Sequence, residues 1–149
     1  MYSFSPQTLI ILKESGWHAG RQVDISVFEE SLLKDGFTLF PIAASFLAEF
    51  GDLDIVFSNR IGQKANFHFN VKKAVEEVDP LWAQQDYYRR LGDKQLCVIG
   101  QAYTDHMTLM MSETGEVYGG FDDFLCKIAN SGVDAIKRIC DNERAEEIP

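Results

Sequence analysis

The chain has 149 residues and a formal net charge of −9, with a pI near 4.7. That charge disfavours direct binding to nucleic acid or to an anionic membrane, both of which require a cationic surface, and suits a basic partner better. A hydrophobic fraction of 46% that includes 11 Phe, 5 Tyr and 2 Trp is ample for a core and excludes a disordered chain. The length is that of one domain over residues 1–149.

Ser5-Pro6 opens the first predicted helix. Ser5 can cap, Pro6 fits the first helical position, and Phe4 with Leu9 has the spacing of a hydrophobic staple. Leu9 and Leu12 form its inner face, and Gly16 closes it. Ser26 and Glu29 read as a capping box for a second helix to Lys34 or Asp35, with Phe28, Leu32 and Leu33 inward. Pro41 starts a third, with Ile42, Phe46, Leu47 and Phe50 on one face. Leu53–Ser58 then alternates as a strand with Leu53, Ile55 and Phe57 inward. Asn66–Val71 alternates likewise, burying Phe67, Phe69 and Val71 and leaving His68 on the other face.

Lys72–Val78 reads as a loop or a single helical turn. Asp79-Pro80 is a strong helix start, and the helix runs through Tyr87, Tyr88 and Leu91 to Gly92. Residues 95–120 form a meander of strands broken at Thr104-Asp105 and at Glu113-Thr114-Gly115. After Gly120, Asp122 or Asp123 can start a helix carrying Phe124, Leu125 and Ile128. Ser131 with Asp134 caps a last helix bearing Val133, Ile136, Ile139 and Cys140. From Asp141 the chain reads as a frayed acidic tail. The fold class this order indicates is α+β: an antiparallel meander sheet with N-terminal and C-terminal helices packed on it.

No apolar run approaches the roughly 20 residues of a membrane helix. Met1 leads into Tyr-Ser-Phe-Ser-Pro without the basic region or apolar core of a secretory signal, so the expectation is a cytoplasmic protein. Cys97 in a strand pattern, and Cys126 and Cys140 on helix patterns, are odd in number and widely spaced. They read as buried, reduced thiols. His18, His68 and His106 show no ligand spacing with one another or with the cysteines, so no metal or other cofactor is expected. Arg21 reads as pairing with a carboxylate or stacking on Trp17.

Several landmarks, taken in order, resemble the third subgroup of the SUKH superfamily of bacterial toxin-immunity proteins. They are Gly16-Trp17-x-x-Gly20-Arg21, Phe46-Leu47-x-x-Phe50-Gly51-x-Leu53-x-Ile55, Leu91-Gly92 with Gly100 eight residues on, and Gly115-x-Val117-Tyr118. The family pattern has a second glycine after Phe50-Gly51, where this chain has Asp52. The resemblance implies a non-enzymatic α+β protein encoded beside a secreted or contact-delivered toxin, whose toxic domain it binds and blocks. Toxins countered by the superfamily include nucleases and deaminases. A general interaction or scaffold domain of the same fold is the alternative.

The matched residues are glycines, aromatics and apolar positions, which carry fold rather than recognition. A toxin-contacting surface is therefore sought where carboxylates cluster beside exposed aromatics. Two candidates stand out: Glu76, Glu77 and Asp79 near Trp82 and Tyr87, or Asp122 and Asp123 near Phe121. As simple helix caps, either cluster would need no partner.

Overall fold

The computed structural model describes residues 4–103 and 106–149. The break at Thr104-Asp105 and the opening Met1 lie outside them. The first helix, α1 (Pro6–Glu14), is capped by Ser5 Oγ, which accepts from Thr8 N. Helix α2 spans Ser26–Lys34 and α3 spans Pro41–Phe50. The cap of α2 differs from the expected box: Asp24 Oδ1 accepts from both Ser26 N and Ser26 Oγ. Two inward assignments also fail, because Leu33 is 61% and Ile42 43% exposed. Leu33 follows Leu32 directly, and neighbouring helix positions sit about 100° apart, so only one of the pair can face the core.

Among the described residues, seven strands form one antiparallel sheet in chain order: β1 (Asp54–Ser58), β2 (Lys64–His68), β3 (Leu96–Ala102), β4 (Met107–Ser112), β5 (Val117–Phe121), β6 (Phe124–Ala129) and β7 (Glu146–Glu147). Helix α4 (Val71–Val75) follows β2, and α7 (Gly132–Cys140) follows β6. Every residue of β3 is buried, as befits a central strand covered on both faces. Helices α3 and α4 pack on β3, α1 on β1, and α7 on β6. The α+β class and its meander sheet therefore stand.

Residues 124–129 form β6 rather than the predicted helix, which also puts Cys126 on a strand. Asp122 and Asp123 are the two-residue turn between the paired Phe121 and Phe124. Asp122 adopts φ +51, a left-handed conformation that Asp and Asn tolerate better than other residues with a side chain. The apolar run is long enough for either element, and pairing with β5 across that turn and with β7 decides the matter. Where fraying was expected, Glu146–Glu147 pairs with β6, and Ile148 N donates to Leu125 O. Strand β2 stops at His68, although Phe69 and Val71 beyond it are buried as expected.

His68 does point away from Phe67, but it too is buried, at 4% exposure. Its Nδ1 accepts from Asn70 N, so the ring proton sits on Nε2, which lies 2.9 Å from Gln101 Oε1. The family landmarks are structural. Trp17 stacks on Phe50 with centroids 6.2 Å apart, meets Phe4 edge-on, and donates from Nε1 to Glu49 at 2.9 Å. Among the described residues, Arg21 neither pairs with a carboxylate nor stacks. It donates to the carbonyls of Glu49 and Gly51, at 2.5 and 2.8 Å, and so caps the C-terminal end of α3. At Gly100, an added Cβ would collide with the His68 carbonyl, so only glycine permits the approach.

Candidate functional site

The helix announced by Asp79-Pro80 forms in three parts: α5 (Pro80–Trp82), a π-helical turn over Ala83–Tyr87, and α6 (Tyr88–Arg90). Asp79 Oδ1 accepts from Leu81 N at 2.9 Å, the cap expected of it. In a regular α-helix, positions five apart point about 140° away from each other. The wider turn, in which Tyr88 N donates to Ala83 O, brings positions five apart much closer to one line. Trp82 and Tyr87 are such a pair. Trp82 Nε1 donates to Asp122 O at 3.0 Å, and the Tyr87 hydroxyl donates to the same oxygen at 2.5 Å.

The partner of this helix is the β5–β6 turn. Arg90 adds a third tether, donating to Asp123 O and to Ile148 O, each at 2.7 Å, while pairing with Asp86. Gly120 makes the approach possible: a Cβ there would lie 2.9 Å from two ring carbons of Tyr87 and from Met110 Cε. Burial pushes the Tyr87 phenol pKa up. The Asp86 and Asp122 charges reinforce the shift, and the Trp82 hydrogen bond and Arg90 oppose it.

Between helix and turn lies a cleft of about 510 Å³, lined by Glu77, Val78, Asp79, Trp82, Tyr87, Thr108, Gly120, Asp122 and Asp123. The two acidic-aromatic clusters that the sequence offered as alternatives thus meet in one place. Glu77, Asp122 and Asp123 are exposed, and their carboxylates make no hydrogen bond or ion pair with the described residues. Trp82 is 43% exposed. Tyr87, expected as an exposed aromatic, is instead 4% exposed and forms the inner wall. Glu76 and Phe121 are exposed but stand outside the lining.

Sequence reasoning missed Thr108, Gly120 and Arg90. The pair Gly119-Gly120 inside a strand run is a signal of close approach that could have found the second of these. Thr108 and Arg90 carry no such mark.

Chemically, this is a set of acceptors around an aromatic wall. Among the described residues, no group of three or more His, Cys, Asp or Glu is placed to hold a metal ion. The three cysteines are free. Burial pushes their pKa values up to about 12 for Cys97, about 11 for Cys126 and about 12 for Cys140, so each remains a thiol at neutral pH rather than a reactive thiolate. No described helix is long and apolar enough to cross a membrane.

Fold and site together define an α+β protein of helices on a meander sheet, with an acid-rimmed, aromatic-walled surface cleft. The chain belongs to the SUKH-3 immunity protein family, whose pattern matches residues 4–142. Membership implies toxin immunity and points to a non-enzymatic role. No curated protein and no solved structure matches the chain significantly.

Proposed function

We propose that this protein binds a cognate toxin domain one to one, in the cytoplasm of the cell that makes the toxin, and blocks it by occupying its substrate groove. The observation that carries the reading is the family match over residues 4–142. The toxin class in view is one acting on nucleic acid, a nuclease or a deaminase. Such a groove must be basic, because phosphate neutralisation supplies much of its substrate affinity.

A net charge of −9 attracts a basic groove at long range and speeds encounter more than it tightens the final complex. Glu76, Glu77, Asp79, Asp122 and Asp123 supply this steering. Trp82, with Phe121 at 53% exposure beyond the turn, supplies apolar area that a partner can desolvate. Tyr87 contributes from behind, by holding the turn.

Stopped-flow association with the toxin domain tests the mechanism. The expected rate falls steeply from low to physiological salt. It falls again when Glu76 and Glu77 become Lys, and when Asp122→Asn is combined with Asp123→Lys; Asn is chosen at 122 because it tolerates the left-handed backbone. A salt-independent rate, indifferent to both changes, removes the acidic-surface mechanism and leaves immunity standing. Failure to bind or neutralise the toxin encoded alongside removes the immunity reading itself.

A further inference from the structure

The floor of the cleft holds a polar group that its walls do not use. Thr108 is 8% exposed, and its hydroxyl has no hydrogen-bond partner among the described residues. No described side-chain oxygen or nitrogen that is sealed from solvent lacks a partner. The Thr108 hydroxyl therefore keeps contact with solvent, and the space it lines is the cleft. In the open cleft that hydroxyl is served by water alone, so a ligand that reaches it can take the place of the water and gain a hydrogen bond at the floor.

The remaining chemistry selects that ligand. The side-chain donors on the wall, Trp82 Nε1 and the Tyr87 hydroxyl, are both spent on Asp122 O. What is left is the π face of Trp82, pinned at its N–H edge, the carboxylates of Glu77, Asp122 and Asp123, and a hydroxyl able to accept. This set rejects phosphates and carboxylates and asks for a cation with many donors. A guanidinium fits best: it is planar, stacks on indole, carries five N–H donors and has no acceptor.

We infer that the cleft is a receptor for an arginine side chain presented by the toxin domain, seated against Trp82, rimmed by Glu77, Asp122 and Asp123, and bonded at its tip to Thr108. The inference rests on the proposed toxin-binding role of this face and adds the chemistry of its central contact.

The probe is N-acetyl-arginine methylamide, titrated at low salt while the indole N–H resonances of the protein are followed. The Trp82 signal is expected to move saturably. Trp17, whose N–H is held by Glu49 away from the cleft, stays still. The neutral citrulline analogue has no effect. Thr108→Val weakens the arginine probe about tenfold or more, the usual worth of one hydrogen bond to a charged group, while the melting temperature is unchanged or higher. Equal response to arginine and citrulline, equal movement of both indoles, or full affinity in Thr108→Val overturns the inference. A protein that fails these tests yet neutralises the toxin loses only this inference. One that passes them yet does not bind the toxin keeps its arginine site and loses the immunity reading.

Discussion

Trp82 and Tyr87 donate to one and the same oxygen, Asp122 O, at 3.0 and 2.5 Å. The π turn between them places both on the turn-facing side of the helix. Tyr87→Phe removes one of the two donors without orphaning the carbonyl, so the expected loss is about 0.5–1.5 kcal/mol in urea unfolding. The pH response carries a sign. Tyr87 has a folded pKa above its unfolded value, so its contribution is complete below about pH 10 and is lost as the pH rises through the folded value. The variant should lose less stability than the parent in that alkaline window. Tyr88 and Tyr103, also raised chiefly by burial, and the buried thiols of Cys97, Cys126 and Cys140 contribute to the same alkaline loss in parent and variant alike.

Glu116 sets the acid limb. Its carboxylate accepts from Lys94 at 2.6 Å and lies 3.0 Å from Lys127, and these partners hold its pKa down to about 2. A depressed pKa contributes stability above the unfolded value, about 4.3, and loses it as the pH falls towards the folded one. Unfolding measured from pH 5 to pH 2 should therefore decline more steeply in the parent than in Glu116→Gln. Parallel curves would show that the Lys94–Glu116–Lys127 bridge contributes nothing.

Trp17 is expected to be a folding residue. Stacked on Phe50, edge-on to Phe4 and bonded to Glu49, it ties the loop after α1 to the end of α3. Trp17→Ala should cost about 3–5 kcal/mol, as large aromatic truncations in cores do. A variant that melts normally but no longer binds the toxin would instead make Trp17 part of the interface.

Two glycines in the sheet should respond differently to alanine. At Gly120 the obstacles are the Tyr87 ring and Met110 Cε, side-chain atoms that can shift, so the expected cost is about 1–3 kcal/mol. At Gly100 the obstacle is the backbone carbonyl of His68, which moves only with strand β2. Gly100→Ala should therefore melt lower than Gly120→Ala in the same thermal scan.

Much of this protein is legible locally, because the deciding physics is local. The cap at Ser5, Pro6 at the first helical position, Asp79-Pro80, the Ser131 cap that accepts from Asp134 N, and the alternation of Leu53, Ile55 and Phe57 each act within a few residues. Even the family departure at Asp52 has a local reason: its φ is +66, so Asp occupies a left-handed position for which glycine is the default. By itself, then, the sequence determined the α+β class, the family, and the acidic-aromatic clusters as candidates. Tertiary structure decided what depends on partners distant in the chain. It made residues 124–129 a strand by giving them β5 and β7 to pair with, and it turned Arg21 onto carbonyls about thirty residues away. It also joined the two candidate clusters into one cleft over Thr108, because Gly120 lets Tyr87 lie against the sheet. Such contacts leave no periodicity in the chain, since they are selected by packing and hydrogen-bond satisfaction in the folded whole.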